Sequence, residues 1–223
     1  MASHRAEVIV PYGRAVAQDA GPALSVAAGA ALRLSDGPYP FAEPPDLVRA
    51  TSVADRLEIL REQLASLCGP WDRLAALFLD CYVEWIAATL ATADAELRDL
   101  SARAGGIFAP EDWSFSALRP LPQAHLPAGT ASVRADFAFW TGTGFVAIDL
   151  QGNTTPRRQR RAELQSLADA GAHLVAVPGA ALQQERISLL GRVLPPELQR
   201  FWAGVLLPAS PFGPSAEGFD LPP

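Results

Sequence analysis

The chain has 223 residues, 49% of them apolar, and a formal net charge of −6. A chain of this length and apolar content can bury a sizeable core, so we expect one main globular domain with additions. No signal-peptide pattern begins the sequence and no unbroken apolar run reaches roughly 18 residues, which predicts a cytoplasmic protein without a membrane span.

All eighteen basic residues are arginine. Without lysine the chain cannot form a P-loop, a Schiff-base site or a Ser-Lys hydrolase site. The three histidines lie far apart in sequence, outside the usual spacings of zinc sites, and Cys68 and Cys81 are expected to be reduced core thiols. Carboxylates therefore remain as the candidate catalytic groups.

The N-terminal part of the chain divides into an irregular segment and a helical segment. Residues 1–50 are rich in Gly, Ala and Pro, with one short strand expected at 7–12. In residues 52–104 we predict two helices. The first runs from a cap at Ser52 to a stop at Gly69, because its leucines repeat at helical spacing. The second runs from Pro70 to Ala104 and is long enough to be kinked or split.

The remaining sequence predicts a core at 107–177 and a helical end. A single α/β domain is expected over 51–207, and residues 208–223 are expected to form a disordered tail. The core elements, in chain order, are a short strand at 115–118, strands at 132–140 and 145–151, a helix at 157–170 and a strand at 173–177. Two helices are expected within 180–206.

The stretch SVRADFAFWTGTGFVAIDLQG, residues 132–152, predicts a hairpin with two aspartates facing each other. Gly142-Thr143 suits a two-residue type II′ turn, which fixes the register. Asp136 then lies opposite Asp149, with side-chain origins about 5 Å apart, and Arg134 lies opposite Gln151. The alternate residues form an apolar face expected to be core, whereas the face with the aspartates is expected to be a mixed surface.

Two carboxylates in this relation repel each other unless they share a proton, hold a cation or are screened by water. Magnesium, or manganese, is a natural occupant, because Mg²⁺ prefers oxygen ligands and is often held by one or two carboxylates. In the alternative, the Arg134 guanidinium neutralises the pair within a surface cluster. The sequence leaves both arrangements open.

Three pieces of this sequence, ADFAF, VAIDLQG and LADAGAHLVAV, carry a family resemblance. In their order and spacing they resemble the PD-(D/E)xK, or restriction-endonuclease-like, nucleases, and most closely the very-short-patch-repair-like branch. The resemblance covers about residues 133–177. It implies an α/β (α+β) fold, a small mixed sheet flanked by helices, with helices added at the N-terminal side.

The resemblance also implies a metal-dependent nuclease that hydrolyses nucleic-acid phosphodiester bonds. Asp136 and Asp149 would hold Mg²⁺ or Mn²⁺, with the Leu150 carbonyl as a further ligand and Gln151 orienting the attacking water. The motif lysine is replaced by Gln151, so Arg134 is the candidate for the missing positive charge. Glu84 is a candidate third acid, with an ordinary exposed helix glutamate as the alternative.

A run of basic residues, PRRQRR, follows the second strand. Arg157, Arg158, Arg160 and Arg161 are predicted to contact phosphates, with a solvated helix end as the alternative. The net charge of −6 favours a localised contact with nucleic acid, DNA before RNA, or with a protein partner. Two alternatives to an active nuclease stay open: an inactive nuclease fold that binds such a partner, and an unrelated α/β domain with a helical interaction surface.

Overall fold

The structure, a computed structural model, describes residues 7–14, 21–40, 52–152 and 157–211. They form a mixed α/β protein, as predicted. The strands are β1 (Glu7–Pro11), β2 (Ala23–Ala27), β3 (Leu121–Pro122), β4 (His125–Ala128), β5 (Ala131–Arg134), β6 (Phe137–Trp140), β7 (Phe145–Gln151) and β8 (His173–Pro178). The helices are α1 (Val53–Cys68), α2 (Arg73–Thr92), α3 (Asp94–Arg103), α4 (Arg157–Asp169), α5 (Gly179–Glu185), α6 (Ile187–Val193) and α7 (Pro196–Gln199), and a 3-10 helix spans Pro110–Ser116.

The largest sheet has four strands in the order β3-β6-β7-β8. The first three are neighbours in antiparallel pairs, and β8 returns parallel to β7 after the α4 crossover. Strands β1 and β2 form a separate antiparallel pair, as do β4 and β5. The carboxyl ends of β7 and β8 therefore lie at the same edge of the large sheet.

The hairpin of β6 and β7 has the register that its turn predicts. Phe137 lies opposite Ile148 and Trp140 opposite Phe145. Gly142 in the turn has a φ of +91°, and a Cβ built there would lie 3.0 Å from the backbone of Ala30. Both the left-handed conformation and this close approach require glycine.

The prediction of a single strand at 132–140 is wrong in one respect, because this segment forms two strands with a break at Ala135 and Asp136. Up to Arg134 the chain pairs with β4, and from Phe137 onward it pairs with β7. The amide of Ala135 donates to the Ala124 carbonyl at 2.8 Å, whereas the amide of Asp136 donates to the Ile148 carbonyl at 3.1 Å. The change of partner strand thus falls between these two residues and leaves Asp136 at the open end of the hairpin.

Helix α1 follows its prediction, because Ser52 caps it and Gly69, with a φ of +103°, ends it. The second predicted helix is two helices, α2 and α3, joined at Ala93. It begins at Arg73 rather than at Pro70, because the Asp72 carboxylate accepts a hydrogen bond from the Ala75 amide and caps the first turn.

Three further expectations differ from the structure. The strand expected at 115–118 is replaced by the end of the 3-10 helix, and Leu118 forms only an isolated bridge with Arg33. The helix expected from Gly179 is divided at Arg186, whose φ is +47°, and the last helix stops at Gln199 instead of reaching Leu206. Most of the expected disordered tail, residues 212–223, lies outside the described residues.

Hydrophobic clusters cover both faces of the large sheet. Phe137 and Ile148 belong to the cluster formed with α1 and α2, as expected for the apolar face. The opposite face is not the mixed surface that the pattern suggested, because Trp140 and Ala147 are buried in a second cluster with Val26 of β2. At the open end of the hairpin, the polar residues Asp136, Asp149 and Gln151 line a cleft.

By length and composition alone, helix α2 is long and apolar enough to cross a membrane. Its apolar face packs inside the protein, with Phe78 stacked on Phe137 at a ring-centroid distance of 4.7 Å. Phe78 and Ile86 are fully buried in the cluster on this face of the sheet. The position of α2 at the centre of the core accounts for its composition.

Both cysteines are free and buried, as predicted. Burial raises the pKa of the Cys68 thiol to about 12 from its ordinary 9.0. The stability gained by burying this thiol is therefore fully present below pH 9 and is lost as the pH rises toward 12. We expect neither thiol to react with a disulfide reagent at pH 8 until the protein is unfolded, as followed by absorbance.

Ser66→Cys is the matched control, because Ser66 is exposed on the same helix and a thiol there reacts in the folded protein. Rapid modification of Cys68 or Cys81 in the native wild type would contradict this packing.

Candidate functional site

A cleft of about 1540 Å³ opens at the carboxyl ends of β7 and β8. Its lining comes from the turn between α1 and α2, the break between β5 and β6, the end of β7, helix α4, strand β8 and helix α5. Asp136 and Asp149 both lie in its wall, and we call it the aspartate cleft. The structure thus brings together, in one wall, the two carboxylates that the hairpin register predicted to face each other.

Backbone and side-chain hydrogen bonds fix the position of Asp136. Its amide donates to the Ile148 carbonyl, and its Oδ2 accepts a hydrogen bond of 2.8 Å from the Leu150 amide. The carboxylate oxygen therefore accepts from β7 a hydrogen bond of the kind that a backbone carbonyl of a paired strand would accept. A side chain bound in this way has little freedom to turn toward another ligand.

The cation that lies between the two aspartates is Arg160 of α4. Its Nε donates to Asp149 Oδ1 at 2.7 Å, and its Nη2 lies 3.4 Å from Asp136 Oδ2. Its Nη1 donates to the Arg134 carbonyl at 2.7 Å and lies 3.6 Å from Glu163 Oε2. The exposed fractions of the Arg160, Asp136 and Asp149 side chains are 13%, 16% and 9%, so this is a largely buried ion cluster.

The pKa shifts reflect this burial and pairing. Burial raises the pKa of Asp136 above its ordinary value, although the Arg160 guanidinium and the Leu150 amide act in the opposite direction. Burial also disfavours the charged form of Arg160, but attraction to Asp136 and Asp149 outweighs it and raises the pKa of Arg160. Arg160 is therefore a permanent cation in this cluster.

Arg134 does not take the place that the predicted register gave it. It lies opposite His125 in the pair of β4 and β5, whereas Gln151 lies opposite Pro178 of β8. The error follows from extending one hairpin register across the break at Asp136. Arg134 Nη2 lies 4.0 Å from Asp136 Oδ1, and its side chain is 52% exposed, so it contributes little to neutralising the pair.

As arranged here, the residues do not fit a divalent cation between Asp136 and Asp149. One oxygen of each carboxylate already binds the guanidinium, and the Leu150 carbonyl accepts a hydrogen bond of 2.8 Å from Gly152. A divalent ion about 4 Å from that guanidinium would meet roughly 8 kcal/mol of repulsion at an effective dielectric constant of about 20. Among the described residues, no group of three or more His, Cys, Asp or Glu side chains is placed to hold a metal.

Other arginines of the cleft present their charges to solvent. Arg73 and Arg161 are exposed, and neither side chain forms a hydrogen bond or ion pair with any other described residue. Arg134 is half exposed beside them. The predictions for the side chains of Arg157 and Arg158 lie outside the described part of the chain. Three guanidinium groups are thus available to anions in the aspartate cleft.

The remaining predicted residues have different positions. Gln151 and Leu150 line the cleft at the end of β7, and Gln151 is exposed. Glu84 is paired with Arg186 and is absent from the residues that line the cleft, so the structure gives it the position of an ordinary surface glutamate. Its exposed fraction of 50% agrees with that alternative.

Sequence reasoning missed two features of this cleft. Trp71 and Arg73, from the turn between α1 and α2, line it and are exposed, but the sequence contains no signal that brings this turn to β7. The sequence could have predicted the inward position of Arg160, because Arg160 and Leu164 precede the buried Leu167 at helical spacing and so share its face of the helix. Arg161 falls outside that stripe and is exposed.

We compared this chain with protein-family models, curated proteins and solved structures, and no match was found in any of the three. The site is therefore interpreted from its own geometry.

The ion cluster predicts a large effect of removing its cation. Arg160→Met leaves two carboxylates buried without their partner, so we expect the free energy of unfolding to fall by about 3–5 kcal/mol in urea denaturation. Arg161→Met, the exposed neighbour, is the control and should change it by less than about 0.5 kcal/mol. Equal effects of the two substitutions would show that Arg160 does not hold the aspartates together.

Proposed function

We propose that this chain has a restriction-endonuclease-like core and that its aspartate cleft binds the phosphodiester backbone of nucleic acid. The order of its elements supports the first part. A helix, α2, precedes three strands of the large sheet in antiparallel pairs, β3, β6 and β7, and a second helix, α4, leads to a parallel fourth strand, β8. The sequence resemblance to that superfamily implies the later part of this order: two strands joined by a hairpin, a helix with basic residues and a last short strand.

The observation that supports the binding function is that one arginine of the cleft is paired with the aspartates, whereas three others are exposed. Arg160 offsets one of the two negative charges of Asp136 and Asp149, so the carboxylates repel an incoming phosphate less than a bare pair would. Arg73, Arg134 and Arg161 remain directed to solvent in the same cleft. A planar guanidinium binds phosphate oxygens through paired hydrogen bonds, which makes arginine well suited to a nucleic-acid backbone.

The overall charge limits where such binding takes place. With a net charge of −6, the protein as a whole repels nucleic acid, so attraction has to come from the local field of the aspartate cleft. Binding is then confined to a few phosphates and weakens as salt rises. An acidic segment of a protein partner is the other ligand that such a cleft suits, and a cytoplasmic location would be compatible with either.

Metal-dependent hydrolysis of nucleic acid is a second candidate function. It is favoured by the two aspartates, one just before β6 and one on β7, which both line a large cleft, as the resemblance implies for a nuclease. Mg²⁺ or Mn²⁺ would require Arg160 to leave the pair, since its guanidinium already occupies the space between the carboxylates. We therefore propose binding as the first candidate function and hydrolysis as the second.

The binding function is tested by the salt dependence of nucleic-acid affinity. For wild type we expect binding of a labelled oligonucleotide, followed by fluorescence anisotropy, to weaken linearly in a plot of log affinity against log salt concentration. Arg161→Gln and Arg134→Gln should each weaken binding and lower the slope by about 1, because each removes a phosphate contact.

Arg98→Gln is the matched control, because Arg98 is an exposed arginine of α3 outside the cleft. Wild-type protein that binds no oligonucleotide, or cleft variants that behave like Arg98→Gln, would overturn the proposal.

Hydrolysis is tested with supercoiled plasmid DNA and a single-stranded RNA in buffers containing Mg²⁺ or Mn²⁺. If Arg160 holds the pair, wild type should cleave no faster than the Asp136→Asn, Asp149→Asn double variant. Cleavage by wild type that disappears in the double variant would establish the second candidate and show that Arg160 gives way to a metal.

A further inference from the structure

Trp71 differs from the other tryptophans of the chain in its exposure. Its exposed fraction is 86%, whereas Trp85, Trp113, Trp140 and Trp202 have exposed fractions of 7% or less. A single exposed aromatic residue is common on protein surfaces and carries no meaning by itself. Its position is what distinguishes Trp71, because the indole lies in the wall of the aspartate cleft beside the exposed Arg73.

The turn that carries Trp71 is held in place from both sides. The Asp72 amide donates to the Gly69 carbonyl at 3.3 Å, which closes a turn with Pro70 and Trp71 at its centre. Asp72 also caps α2, and Leu74, in the first turn of that helix, lies close to two glycines of the cleft lining. A Cβ built at Gly152 or Gly179 would lie 3.7 or 3.0 Å from Leu74 Cδ2. The backbone at Trp71 is thus fixed relative to the end of β7 before any ligand arrives.

An exposed aromatic ring beside several cations is the combination that proteins use for single-stranded nucleic acid. Cations follow the phosphates and the ring stacks on a base, which is possible only where the base is free of its own stack and partner. A duplex offers phosphates to the arginines but no free base to an indole. Arginines alone would therefore leave the exposure of Trp71 in this cleft without a role.

We propose that the ligand of the aspartate cleft is single-stranded nucleic acid, with a base stacked on Trp71 and adjacent phosphates bound by Arg73, Arg134 and Arg161. This inference rests on the proposed binding function and specifies its substrate class. The recognition chemistry is shared by single-stranded DNA and single-stranded RNA. The experiment therefore includes both single-stranded DNA and single-stranded RNA.

The test measures anisotropy with three labelled oligonucleotides of about 12 nucleotides, within the site sizes usual for single-strand binders: single-stranded DNA, single-stranded RNA and duplex DNA. For wild type we expect tighter binding of at least one single strand than of the duplex. Trp71→Ala should weaken that binding about 5- to 150-fold, the equivalent of one lost stacking contact, and should leave duplex binding unchanged. Trp71→Phe, which keeps an aromatic face, should retain most of the affinity.

Leu206→Ala is the matched control, because Leu206 is a large apolar residue with an exposed fraction of 91% that does not line the cleft. Thermal unfolding of each variant verifies that the fold is intact. Quenching of the exposed tryptophan fluorescence by a single strand, absent in Trp71→Phe, would locate the base directly.

The outcomes separate this inference from the function on which it rests. If Arg161→Gln weakens binding but Trp71→Ala does not, or if duplex and single strand bind equally, the cleft binds nucleic acid and the stacking role is wrong. If wild type binds none of the three oligonucleotides, both proposals are wrong.

Discussion

The placement of one guanidinium group between two carboxylates determines the character of this molecule. Arg160 joins α4 to Asp149 on β7, to Asp136 before β6 and to the carbonyl of Arg134 at the end of β5. Removing its charge would leave two like charges in a largely buried position, an arrangement that costs several kcal/mol. The crossover helix and the hairpin are therefore held together by the same contacts that reduce the negative charge of the site. Stability and any binding at this end of the sheet depend on one side chain.

The cluster also determines what the cleft can attract. Two unpaired aspartates would repel phosphate and draw in divalent cations, whereas Arg160 offsets one of their two charges. The three outward arginines then outnumber the remaining aspartate charge and Asp72, which also lines the cleft. Arg161 is adjacent to Arg160 in sequence but is exposed and takes no part in the ion cluster, so α4 contributes one paired and one exposed cation to the cleft lining. Trp71 and Arg73 bring an aromatic face and a further charge from the turn between α1 and α2. A protein with a net negative charge thereby gains a local site for a polyanion.

Local patterns in the sequence predicted the register of β6 and β7, because a Gly-Thr turn and strict alternation leave one pairing. They also predicted that Asp136 and Asp149 lie close together, and both line the cleft. They could not predict the break at Asp136, which arises because the chain exchanges β4 for β7 as its partner, a matter of tertiary contacts. The basic run predicted that arginines would gather near the aspartates, but four arginines in a row of six residues do not reveal which one turns inward. The buried position of Leu167 selects Arg160 once the helix is known. The position of the turn at Trp71 beside the end of β7 depends on the packing of α1 and α2, and no local sequence pattern predicts it.

The central claim is that Arg160, and no metal ion, lies between Asp136 and Asp149. The most direct measurement is a crystal structure of wild-type protein grown with MnCl₂, in which anomalous scattering locates manganese independently of the atomic interpretation. The account predicts the Arg160 guanidinium within hydrogen-bond distance of both carboxylates and no anomalous peak between them. A manganese peak bound by Asp136 and Asp149, with Arg160 displaced into solvent, would contradict it and establish a metal centre.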